Sequence, residues 1–221
     1  MERMCISSFL RHGHPFHLYV YQETEGIPPG TTALDGNKIL PASRIFTYRE
    51  HKTYAGFANF FRYKLLLEHG GWFVDLDTIC LKPFDFPSDF IFSSEGLNGR
   101  QTVNLAAMKA LAGSPVLEYC WDVCEKLNPA ELRWSQCGPQ LVARAVENFS
   151  LQRHVRSPEV FCPIHFSQWK ELLNAGGSRF AESTSAVHLW NELWRREGQD
   201  KDVRYPQGCV YEELRRRYLE E

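Results

Sequence analysis

Gly70-Gly71-Trp72-Phe73-Val74-Asp75-Leu76-Asp77 is the stretch on which the reading of this chain turns. Paired glycines stop a helix, because glycine enters the left-handed cap conformation without steric cost. A short apolar run then reads as a buried strand over 72–76, and two carboxylates two positions apart close it. On a strand such carboxylates share one face, while Leu76 points to the other. Charge at the end of an apolar run is costly unless it is paired or bound to a cation. In α/β folds the carboxyl ends of strands are also where ligands sit. Two oxygen ligands with open positions suit Mg²⁺ or Mn²⁺ when phosphate completes the shell. Asp200-Lys201-Asp202 repeats the same spacing in a polar loop and reads as solvated surface, so context decides.

Working outward, residues 53–69 form a nearly all-apolar helix that carries Asn59 and Arg62 one turn apart. An arginine there either pairs with a carboxylate such as Asp75 or Asp85, or grips a phosphate or sugar oxygen. Upstream, 1–12 has helical spacing, 16–21 reads as a strand and 22–32 as a loop. Downstream, strands are expected over 79–81, 90–93, 103–108 and 186–190. Helices are expected after the Ser114-Pro115 cap, after Gly138-Pro139, after Ser167 and over 210–218. Strands alternating with helices give an α/β class with a mostly parallel sheet flanked by helices.

The 221 residues fit a single domain over 1–221. Hydrophobic residues make up 43% and charged ones 24%, which excludes disorder. The net charge of −2 argues against a nucleic-acid partner held by bulk charge. Seven scattered cysteines form neither a zinc motif nor a disulfide framework, and free thiols suit a reducing compartment. With no transmembrane run or signal core, the expected place is the cytoplasm. Arg215-Arg216-Arg217 either touches the inner face of a membrane or, beside Glu212, Glu213 and Glu220, forms a solvated helix face.

His188, in a late apolar strand, is either a satisfied core residue or a third ligand for Mn²⁺ beside the two carboxylates. Trp190 and Trp194 either line the pocket or fill the core. Asn104 is a donor-sugar contact or a strand-end residue. Glu95 is the one carboxylate available for a double displacement.

The run Phe57 to Asp77, with Arg62-Tyr63, Gly70-Gly71, Asp75 and Asp77 in order, resembles the signature of DXD-motif sugar-nucleotide glycosyltransferases. That broad family includes fungal mannosyltransferases, α-1,4-galactosyl- and N-acetylglucosaminyltransferases, glucosylating toxin domains and bacterial capsule enzymes. The small bacterial branch is the nearest likeness. The resemblance extends to Ser7-Ser8-Phe9-Leu10, Gly138-Pro139 and His188-Leu189-Trp190-Asn191. It implies a GT-A fold, Rossmann-like, that takes a nucleotide sugar and a divalent ion, usually Mn²⁺, and retains anomeric configuration. By likeness Asp77 ligates the metal, Asp75 reaches the ribose, sugar or a metal-bound water, and Arg62 holds the donor. His188 takes the place of the late metal or diphosphate ligand, and Asn59, Asn104, Trp190 and Asn191 border the donor. The implied acceptor is a glycan, lipid-linked or free, or another hydroxyl, as in polysaccharide biosynthesis.

Two features depart from the family pattern. The Ser-Asp pair is Ala58-Asn59 here, which exchanges an anionic acceptor for an amide. Members also begin with an aromatic-Ile-Gly strand that cradles the base, and this chain starts after it, so either the start lies upstream or base binding is impaired. A non-catalytic nucleotide-sugar- or partner-binding remnant is the alternative those departures favour. An aspartyl phosphatase of the haloacid-dehalogenase kind fits less well, since Thr78 follows Asp77 directly rather than two positions on.

Overall fold

In the computed structural model, residues 1–176 and 180–220 are described. Helix α1 (Glu2–Arg11) buries Met4, Cys5 and Phe9 on the face its apolar spacing marks out. Strands β1 (Phe16–Val20) and β2 (Thr31–Asp35) pair in parallel, Phe16 opposite Thr31. The loop expected over 22–32 thus ends earlier, and a strand follows it that has little apolar signal, because both its faces are largely exposed. Helix α2 (Ala55–His69) packs Phe57, Phe60, Tyr63 and Leu66 inward. Gly70 and Gly71 then reverse the chain at φ +65° and +84° into β3 (Gly71–Val74).

The remaining elements are β4 (Thr78–Cys80), β5 (Ile91–Leu97), β6 (Arg100–Ala110), α3 (Pro115–Lys126), α4 (Pro139–Asn148) and α5 (Pro158–Phe161). A 3-10 helix at Phe166–Leu173 follows, then β7 (Ala186–His188), α6 (Asn191–Arg196) and α7 (Val210–Arg215), which runs on as a π turn to Glu220. Ser114 sits at the start of α3 as expected, but its side chain makes no capping bond.

The α/β class stands, and the pairing inside it differs from expectation. Among the described residues the strands form three small sheets, ordered β1-β2, β3-β6-β5 and β4-β7, and only β1-β2 is parallel. The reason is local at β5-β6. Asn98 and Gly99, at φ +53° and +76°, make a two-residue reversal that closes on the Leu97–Arg100 pair. Such a turn joins antiparallel strands, whereas a parallel pair needs a long crossover.

Sheet β3-β6-β5 lies between two hydrophobic clusters. Trp72 and Val74 of β3 and Ala107 of β6 face the cluster of α1, β4, β7 and α7. Phe73 and Met108 face the cluster of α2, α3 and α4. Alternation along each strand puts consecutive side chains on opposite sides.

The chain leaves β3 at Val74 and enters β4 at Thr78. Since β3 pairs with β6 and β4 with β7, Asp75 and Asp77 sit in the turn where the chain crosses from one sheet to another. They are therefore not pleated strand residues sharing a face. Thr78 N–H donates to the Asp75 carbonyl at 2.9 Å, and this turn, not strand alternation, sets their directions.

Candidate active site

Arg62 projects from the buried side of α2 and is only 2% exposed. Its Nη1 donates to Asn59 Oδ1 at 3.1 Å, and its Nη2 donates to Asp75 Oδ1. The guanidinium lies 4.6 Å from the centroid of the Phe73 ring. One planar group is thus fixed at both ends of its fork and on its face, which a lysine would not reproduce. Gly138 packs closely against Asn59: a Cβ there would stand 2.8 Å from its Nδ2. The Gly138-Pro139 pair ahead of α4 therefore leaves room for the side chain that orients Arg62.

Asp77 is held from the other side. Its Oδ1 is 3.1 Å from His188 Nε2, the last residue of β7, and its Oδ2 accepts from the Asn191 N–H at 2.8 Å. Leu189 N–H donates to the Asp77 carbonyl at 2.9 Å. Between them Trp190 takes a left-handed backbone, φ +60°. A tryptophan keeps that conformation only where surroundings over-determine it. Here its indole N–H donates to the Ile164 carbonyl at 2.9 Å, and its ring centroid lies 4.1 Å from that of His188.

The electrostatics follow from that wiring. Burial pushes Asp75 above the usual carboxylate range although Arg62 pulls the other way. Burial acts on Asp77 too, but His188 and the Asn191 N–H together hold it below that range. Burial disfavours the His188 imidazolium, and the Asp77 carboxylate more than offsets this, so His188 lies well above its ordinary value. Burial also raises Glu95.

One ligand atom from each of Asp75, Asp77 and His188 can be chosen so that all lie within 4.8 Å of one another. Two carboxylates and an imidazole are a fitting donor set for Mn²⁺ or Mg²⁺. All three line a cavity of about 810 Å³ with Asn59, Arg62, Glu95, Asn104 and Trp190. Asn104 lies within β6 rather than at a strand end: its Oδ1 accepts from the Ala106 N–H at 2.6 Å, while its Nδ2 faces Glu95 Oε2 at 3.5 Å. Trp194, 1% exposed, fills the core and does not border the cavity. Asn191 reaches the site through its backbone N–H and is not among the cavity-lining side chains.

A sequence model described as the glycosyltransferase sugar-binding region containing DXD motif matches residues 2–96. A second, the alpha 1,4-glycosyltransferase conserved region, matches residues 112–218. Together the two matches span most of the chain, which is similar in sequence to the DXD-motif glycosyltransferases. The first match contains Arg62, Asp75 and Asp77, and the second contains His188 and Gly138-Pro139, so the site is assembled from both. No curated protein matches the sequence. Six solved chains match the structure. Among them the PaToxG glycosyltransferase superposes with a TM-score of 0.51 at 15% identity, over 67% of this chain. That similarity gives a GT-A-like fold, and the chain spans 63% of that structure's length.

Tyr48, Trp134, Phe166, Glu192 and Arg196 also line the cavity and were not anticipated from sequence. They come from segments with no motif of their own. Only the nearness of Trp134 to Gly138-Pro139, and of Glu192 to His188, could have drawn attention to them.

Proposed function

We propose that this chain is a retaining, divalent-metal-dependent transferase that moves a sugar from a nucleotide-sugar donor to a hydroxyl of a glycan or similar acceptor. The observation that carries this reading is the convergence of Asp75, Asp77 and His188 beside Arg62 in one cavity. Asp77 and His188 would hold the cation with Asp75 next to them. Such a cation, when bound, offsets the negative charge that grows on a departing diphosphate.

The chain's own residues do the rest. The Asn191 N–H keeps one Asp77 oxygen in place, and Trp190 covers the imidazole. Arg62 supplies fixed positive charge in a poorly hydrated site, where it is worth more than in water. The C–O bond at the anomeric carbon breaks with its electron pair going to the diphosphate, and the acceptor hydroxyl oxygen bonds on the same face as its proton passes to the departing diphosphate oxygen. Glu95 is positioned to accept a hydrogen bond from a sugar or acceptor hydroxyl. Asn59, although an amide where the family has a carboxylate, still accepts from Arg62, which favours activity over a binding remnant.

We read residues 1–221 as one domain working in the cytoplasm. Its seven cysteines are buried free thiols, which supports a reducing compartment. Among the described residues no helix is long and apolar enough to cross a membrane.

The test is a thermal-shift panel with UDP- and GDP-sugars, with and without Mn²⁺, on wild type and Asp77→Asn. Stabilisation requiring both metal and nucleotide sugar is expected, of about 2.7 kcal/mol at 100-fold excess over Kd. EDTA and Asp77→Asn should each abolish it. A shift that survives both, or none with any donor, overturns the reading.

A further inference from the structure

We propose that Trp134 and Phe166, with the Glu192–Arg196 ion pair, form a subsite that stacks the pyranose ring of the acceptor. The inference rests on the transferase reading above and adds the residues that recognise the second substrate. Singly exposed aromatics are ordinary, but two that border one cavity offer apolar faces to whatever enters it. Trp134 is 38% exposed and Phe166 44%, and both line the cavity that holds Asp75, Asp77 and His188.

Neither ring is loose. The Arg196 guanidinium lies 4.4 Å from the Trp134 ring centroid. Tyr48 and His51 pack on the same indole at 5.4 and 5.3 Å, the latter edge-on. Phe166 meets Trp190 edge-to-face at 6.2 Å, and Trp190 in turn packs on His188, so the Phe166 side of the subsite runs on to the candidate metal pole. Rigid, partly exposed rings lose little entropy on binding, which is what a ligand platform requires.

Polar groups beside the platform suit hydroxyls. Arg196 Nε donates to Glu192 Oε1 at 2.8 Å, and Arg195 grips the same carboxylate at 2.7 and 2.8 Å. Arg195 also donates to the His51 carbonyl at 2.6 Å, which ties α6 to the segment carrying His51. A pyranose has an apolar C–H face and an equator of adjacent hydroxyls. Its face can lie on an indole while one hydroxyl donates to a carboxylate and its neighbour accepts from a guanidinium. A nucleobase would use the same ring plane but offers no such hydroxyl pair.

The experiment uses the whole chain with the nucleotide sugar that binds it. Methyl glycosides of glucose, galactose, mannose and N-acetylglucosamine are added, and saturation-transfer NMR reads their ring C–H protons. The expected result is transfer to at least one glycoside, weakened about tenfold in affinity by Trp134→Ala and restored by Trp134→Phe. Phe166→Ala should weaken it as well, with UDP and GDP affinity unchanged in every variant. Both positions are at the surface, and a thermal melt checks that each variant folds. Silence from all four glycosides while the nucleotide sugar still binds overturns the subsite alone. So does a Trp134→Ala effect on UDP or GDP instead, which would make Trp134 a base platform. Loss of nucleotide-sugar binding itself in wild type would overturn the transferase reading, a separate outcome.

Discussion

Arg62 brings a guanidinium charge into a site where it is almost wholly buried, so its cost must be met by specific partners. Asn59, Asp75 and the Phe73 ring supply them. Arg62→Lys keeps the charge and loses the fork. Losing one charge-assisted hydrogen bond to the donor costs roughly tenfold to a hundredfold in affinity. Isothermal titration with the nucleotide sugar should show that drop, accompanied by a lower melting temperature because the buried contacts to Asn59 and Asp75 are weakened; unchanged affinity would mean Arg62 serves Asp75 alone. Gly138→Ala tests the same wiring from a distance. Its Cβ would push the Asn59 amide, an end that can move, so the fold should persist while donor affinity falls.

At the scale of elements, the α2–β3 junction delivers the acidic turn to the site. Gly70 and Gly71 both have positive φ, but their surroundings differ. A Cβ on Gly70 would stand 2.7 Å from the Ala112 backbone nitrogen, whereas nothing lies within 4 Å of one on Gly71. Gly71→Ala should therefore cost about 1 kcal/mol, the conformational penalty alone. Gly70→Ala adds a backbone clash and should cost roughly 2–3 kcal/mol. Urea denaturation of the two variants reads the difference, and equal losses would show that the clash is relieved elsewhere. The β5-β6 hairpin had its signal in Asn98-Gly99, a dipeptide that favours a tight reversal. Reading residues 90–93 and 103–108 as separate short strands passed over it, and with it the antiparallel pairing.

Across the whole molecule, Arg195 ties α6 to the segment carrying His51, and the Glu192 carboxylate on the same helix holds that arginine, so the carboxylate's ionisation brings pH into the contact. Burial would raise its pKa, but hydrogen bonds from Arg195 and Arg196 more than offset this and leave it below the ordinary 4.5. A carboxylate depressed in the fold contributes stability that is present above the unfolded value and lost as pH falls through the folded one. Melting temperatures of wild type and Glu192→Gln should be separated at neutral pH and converge from about pH 4.5 downward. Curves that stay parallel would assign the ion pairs no part in stability.

The sequence by itself determined the α/β class and the glycine-stopped helix, and it marked out Arg62, Asp75, Asp77 and His188 as candidates. Those features are local: periodicity, cap chemistry and motif spacing are written along the chain. What only the tertiary structure decided is how distant segments meet. His188 lies 111 residues from Asp77 and still reaches its carboxylate because β7 pairs with β4. Asp75 and Asp77 were legible as a pair, but their directions come from a turn between two sheets, which no spacing rule encodes. Trp134, Phe166 and Glu192 carry no motif, since a cavity wall requires only that side chains converge in space, and that is a property of packing.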